Sequence, residues 1–186
     1  MWLVVGLGNP GAEYAATRHN IGAMAIEHWA SSAGTKLTKS KQAQALTATV
    51  RLGDESVLLA FPTTFMNASG GAVKALLNYY KVELDHLIVI HDEIDLDFAR
   101  LRVKFGGGDN GHNGLRSIRS ALSGEYFRAR LGVGRPDGPM DPAAYVLKNF
   151  SKSEQKDLAE FVDRGVDAVQ CLISSGLEQT QGRYNG

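Results

Sequence analysis

At 186 residues with 44% hydrophobic content, the chain is long enough for one well-buried core and short for two. Its 21 glycines follow no period, and its single cysteine, Cys171, leaves no intramolecular disulfide, so collagen-like, low-complexity and disulfide-framed classes are excluded. Formal net charge is zero, no apolar run approaches membrane-spanning length, and Met1 to Gly6 lacks a basic n-region, so a cytoplasmic protein with no membrane partner is expected.

In chain order, Trp2 to Gly6 reads as a strand, followed by the polar stretch GLGNPGAEYAATRHN and a helix over 20–33 with Ile21, Ala25, His28 and Trp29 at helical spacing. Gln42 to Val50 alternates apolar and polar residues and pairs through Leu52-Gly53-Asp54 with Val57 to Phe61, an antiparallel hairpin. A helix over 68–80 and a buried-type strand over 87–91 follow. Beyond Asp97 come a strand (Arg100 to Phe105), a glycine-rich loop, a helix from Asn113 to Ser123, and a strand from Phe127 to Gly134. Arg135 to Met140 breaks regular structure, and Asp141-Pro142 opens a short helix. The capping box Ser151-x-x-Glu154 starts a last amphipathic helix that stops at Gly176, leaving a polar tail, 177–186, expected to be mobile. Strands alternating with helices give an α/β fold: a single globular domain over 1–186, with a mixed, mostly parallel twisted sheet flanked by helices on both faces.

Three strands end in polar residues able to hold a substrate: Asn9 with His19 after the first, Asn67 after FPTTFMN, and Asp92 in IHDEIDL. Parallel strands bring their carboxyl ends to one edge, where ligands bind. An imidazole whose ordinary pKa lies near working pH suits general-base chemistry, and a strand-end carboxylate can fix its tautomer. Strand alternation sends His91 and Glu93 to the opposite side from Asp92. Gly6 to Gly11 matches G-x-G-x-x-G, but Pro10 removes a donor and polar residues separate it from the helix, against a dinucleotide site. His19, His91, Asp92, Glu93 and His112 follow no known metal-ligand spacing, so no metal or cofactor is expected. Ser69 is not in a G-x-S-x-G elbow.

Charge is segregated. Glu83 to Asp97 holds six acids and no Lys or Arg, while Arg100 to Arg135 holds eight bases against two acids, a pattern compatible with a basic face for a polyanion. Lys104 opens the glycine loop, Arg116 and Arg119 share a helical face, and Arg128 and Arg130 share a strand face that would continue a basic track.

VGLGNPGAEYAATRHNIG, FPTTFMNASG, HDEIDL and GGGDNGHNGLRSI, in this order, resemble the bacterial-type peptidyl-tRNA hydrolase family from Val4 to the last helix. The resemblance implies a monomer that cleaves, without metal, the ester between a peptide and the terminal ribose of tRNA, recycling tRNA from peptides dropped by ribosomes. By it, His19 is the catalytic base, Asp92 its partner, and Asn9, Asn67 and Asn113 hold the substrate and help position water or the carbonyl. Lys104 contacts the tRNA 5′-phosphate beside the acceptor stem and 3′ end, Arg130 makes a second phosphate contact, and Tyr14, Phe65 and Met66 line the cleft. The alternative class is an RNA-binding relative without catalysis.

Overall fold

Seven strands form one sheet in the computed structural model, which describes residues 1–186. They are β1 (Trp2–Gly6), β2 (Thr38–Lys39), β3 (Ala45–Leu52), β4 (Glu55–Pro62), β5 (Leu87–Glu93), β6 (Leu101–Phe105) and β7 (Phe127–Gly132). The helices are α1 (Ile21–Ser32), α2 (Ser69–Tyr80), α3 (Asn113–Ala121), α4 (Pro142–Tyr145), α5 (Lys152–Ser175) and α6 (Leu177–Tyr184).

Strand order is β2-β3-β4-β1-β5-β7-β6. The four central strands are parallel, and β2-β3, β3-β4 and β6-β7 are antiparallel. Alternation along β1 divides the core: Val4 faces α1 and α5 in one apolar cluster, while Leu3 and Val5 face α2 and α3 in the other. The mixed sheet with helices on both faces is thus as the sequence pattern indicates. Because β4 and β5 flank β1 on opposite sides, the chain changes direction at β1, and a crevice opens at the strand ends there.

Two glycines set how closely α1 approaches this crevice. A Cβ on Gly22 would overlap the Ile90 carbonyl, and one on Gly6 would overlap the Gly22 carbonyl. With both absent, the first turn of α1 rests on the ends of β1 and β5, and Ala23 N–H donates to Leu7 O at 3.1 Å. His19, just before α1, is thereby delivered to Asp92, two residues beyond Ile90.

The tail expected to be mobile is ordered instead. Helix α6 covers edge strand β6: Val103 N–H donates to Asn185 Oδ1 at 2.8 Å, and the amides of Gln181 and Asn185 donate to Val103 O at 3.1 and 3.0 Å. Its polar side chains serve the unpaired backbone of an edge strand rather than water, which composition alone cannot distinguish.

Candidate active site

A cleft of about 600 Å³ lies along the carboxyl ends of β1, β4 and β5. Asn9, His19, Phe65, Met66, Asn67, Asp92 and Asn113 all line it. Tyr14, Lys104 and Arg130, the other candidate residues, do not.

At its base His19 Nδ1 lies 2.8 Å from Asp92 Oδ2, and His112 Nε2 lies 2.7 Å from Asp92 Oδ1. His112 is also the N-cap of α3: its Nδ1 accepts from Gly114 and Leu115 N–H at 3.1 and 3.3 Å. An imidazole nitrogen that accepts carries no proton, so Nε2–H is the donor to Asp92. Asp92, only 1% exposed in its side chain, therefore accepts from two rings at once. Burial pushes its carboxyl up, but the facing His19 and His112 outweigh burial and hold it well below the usual carboxylate range. For His19, burial lowers the pKa, and Asp92, by charge and by hydrogen bond, more than reverses this, raising it above 6.5.

His91 also faces the cleft, stacked edge-on at 5.3 Å from the His112 ring. Its Nδ1–H donates to the Asp92 backbone carbonyl at 2.8 Å, and burial first, then His112, push its pKa down to about 3, so it is neutral. Alternation along β5 does not keep His91 and Glu93 out of the cleft: both line it together with Asp92, because it caps the strand ends and draws on both faces of the sheet.

Asn9 is held at every atom but one. Asn20 pairs reciprocally with its backbone, accepting from Asn9 N–H and donating to Asn9 O, both at 2.9 Å, and Met66 N–H donates to Asn9 Oδ1 at 2.7 Å. Because Met66 N–H can only donate, the Asn9 oxygen must face it and the NH₂ group is left for the cleft. Asn67, in the turn before α2, and Asn113, the first residue of α3, are exposed on either side. The remaining wall is α4 with Val146 and Leu147.

Donor atoms of His19, Asp92 and His112 lie within 4.8 Å of one another. Both nitrogens already stand at hydrogen-bond distance from the carboxylate, closer than two ligands spread around a cation about 2.0–2.1 Å from each. As folded, protons bridge this group.

The basic track needs correction. Arg128 is 1% exposed and turned inward, donating to the carbonyls of Gly107 (2.7 Å), Gly108 and Gly124 (3.2 Å), with its guanidinium 4.6 Å over the Tyr126 ring. It braces the glycine loop. Arg130 Nε donates to Glu93 Oε1 at 3.0 Å, and Arg135 pairs with Asp95 at 2.7 Å. The acidic and basic runs, segregated in sequence, thus meet in space. Lys104 makes no ion pair; burial, then Arg130 and Arg128, hold its ammonium below the usual lysine pKa.

A carboxylate-backed histidine in an amide-lined cleft, at the switch point of an α/β sheet, defines an enzyme of hydrolase type. Comparison with known proteins agrees. The model of the family described as peptidyl-tRNA hydrolase matches residues 3–186. The peptidyl-tRNA hydrolase of Streptomyces coelicolor is 49% identical over 99% of this chain and 94% of its own length, and that of Frankia alni 51% identical over 99% and 93%. The crystal structure of peptidyl-tRNA hydrolase from Acinetobacter baumannii superposes with a TM-score of 0.93 at 32% identity, over 100% of this chain and 95% of that one. The chain belongs to the peptidyl-tRNA hydrolase family. No helix is long and apolar enough to cross a membrane.

Proposed function

We propose that this chain hydrolyses the ester joining an N-blocked peptide to the terminal ribose of tRNA, with His19 as general base. The observation that carries the reading is the His19 Nδ1–Asp92 Oδ2 bond of 2.8 Å in the wall of the cleft. Asp92 fixes the tautomer with Nδ1 protonated, so Nε2 is the nitrogen that takes a proton from water, and the charge that develops on the ring is opposed by a buried carboxylate. Water attacks the ester carbonyl, the tetrahedral oxyanion receives the Asn9 NH₂, and the ribose oxygen leaves with a proton returned from His19. His112, by occupying the second carboxylate oxygen, keeps Asp92 from turning away.

Asn67 and Asn113 offer uncharged amides to the peptide and to water, and Phe65 and Met66 an apolar surface. Lys104 receives the 5′-phosphate next to the acceptor stem, and Arg130 makes a second phosphate contact. The register Lys104–Arg128–Val89 places Lys104 two strands across and three residues down from Asp92, about 10 Å in each direction. The terminal nitrogens of Arg130 make no bond within the protein, since only Nε is engaged by Glu93. We assign the enzyme as a monomer that returns tRNA from peptides lost by ribosomes. Release of N-acetyl amino acid from its tRNA ester tests the reading; binding of tRNA without cleavage would identify an RNA-binding relative instead.

A further inference from the structure

Arg18 is 5% exposed and takes no part in the chemistry above. Its Nη1 donates to Asn149 O at 2.9 Å and Lys148 O at 3.4 Å, its Nη2 meets Glu154 Oε1 at 2.8 Å, and the guanidinium lies 4.0 Å over the Tyr145 ring and 5.6 Å from that of Phe150. The backbone repeats the connection. Arg18 N–H donates to Lys148 O at 3.1 Å, His19 N–H donates to Val146 O at 2.8 Å, and Thr17 and Asn149 form an antiparallel bridge.

What this clamp holds is one wall of the cleft. Asp141, Pro142, Ala143, Val146 and Leu147 line it, yet α4 has four residues and buries none of them. A single helical turn does not hold itself in place, because nucleation fixes several residues for one hydrogen bond. Glu154 is shared: the oxygen that pairs with Arg18 also accepts Ser151 N–H at 2.9 Å in the capping box of α5. The wall is therefore tied to Arg18, the residue before the base, and through it and Glu154 to the start of the longest helix. Charge-assisted bonds of this kind are the strong ones, and stacking on Tyr145 adds to them.

We infer that Arg18 is a positioning residue that sets the distance between the α4 wall and His19, and hence how tightly substrate is held. The inference rests on the reading of the cleft as a peptidyl-tRNA site. The His19 ring is fixed separately by Asp92, so a loosened wall alters binding while leaving the titration of the base in place.

The test is steady-state hydrolysis of N-acetyl-aminoacyl-tRNA by wild type, Arg18→Met, which keeps side-chain length without charge, and Glu154→Gln, which keeps an oxygen for Ser151. Arg18→Met is expected to raise KM about 5- to 30-fold with kcat within about 3-fold and an unchanged acid limb of the pH profile. Glu154→Gln moves KM the same way by about 2- to 5-fold, and it carries the test if Arg18→Met does not fold. Amide exchange across 142–149 quickens in both. KM within about 2-fold of wild type in both variants, with Tm lowered, would reduce Arg18 to a structural role and overturn the inference. So would a fall in kcat accompanied by a shifted pH limb, which would mean that Arg18 acts through the base. A wild type that fails to cleave would instead sink the underlying functional reading, and it is seen before any variant is compared.

Discussion

Replacing Asp92 by asparagine keeps the volume and removes the charge. The consequences follow from its two partners. His112 Nε2–H is fixed as a donor because its Nδ1 already accepts from α3, so the new amide must turn its single oxygen toward His112. The NH₂ group then faces His19 Nδ1 and donates, which drives the His19 proton onto Nε2, the nitrogen that should receive a proton from water. The base is inverted while the geometry is preserved. A positioned general base supplies about 10²–10⁴-fold, and loss of the correct tautomer in an analogous histidine–carboxylate pair costs about 10⁴, so kcat of Asp92→Asn is expected to fall about 10³–10⁴-fold with little change in KM. The acid limb moves as well. In the wild type Asp92 holds the His19 pKa above 6.5 against burial; without the carboxylate, burial is unopposed and the residual activity titrates below that value. Single-turnover release of N-acetyl amino acid from tRNA across the pH range measures both. A loss under about 10-fold, or an acid limb that stays where it was, would rule out this role for the carboxylate.

Lys104→Ala is expected to raise KM and to lessen the slope of log KM against log salt by about 1, the signature of one lost phosphate contact; an unchanged slope would remove Lys104 from the tRNA site. For His19→Ala the stability cost depends on pH with a definite sign. The folded pKa of His19 is raised, so its contribution is fully present below the unfolded value near 6.5 and is lost as pH rises through the folded value. Chemical denaturation should therefore show a larger penalty at about pH 6 than at about pH 9, and an equal penalty at both would contradict the ion pair. Arg128→Met leaves three loop carbonyls without their charged donor and is expected to cost about 2–4 kcal/mol, lowering Tm by about 5–15 °C; an unchanged Tm would show that the glycine loop does not depend on it.

The parts of the site legible in sequence are those signalled locally. Strand ends after apolar runs placed Asn9, Asn67 and Asp92 on one edge, and the observed cleft gathers them with His19. The order of strands and helices was equally accessible, since hydrophobic period and caps such as Ser151 with Glu154 are written within a few residues. What escaped was set by tertiary pairing. Arg128 reads as surface charge because nothing near it in sequence shows that three loop carbonyls will converge on it. Glu93 and Arg130, 37 positions apart, belong to runs that look like separate charged faces until β5 and β7 lie side by side. His112 was visible as one more histidine in a glycine loop. Its use as a helix cap, which fixes the proton it offers to Asp92, depends on α3 starting at the same edge. The order of the tail is hidden for a related reason, its amides being matched to an edge strand more than 70 residues away.

Whether His19 does the chemistry is decided by single-turnover cleavage of N-acetyl-aminoacyl-tRNA with EDTA present. Full wild-type activity is expected, with a rate about 10²–10⁴-fold lower for His19→Ala in a normally folded protein. Near-wild-type cleavage by the variant, or loss of wild-type cleavage in EDTA, would contradict a metal-free histidine base.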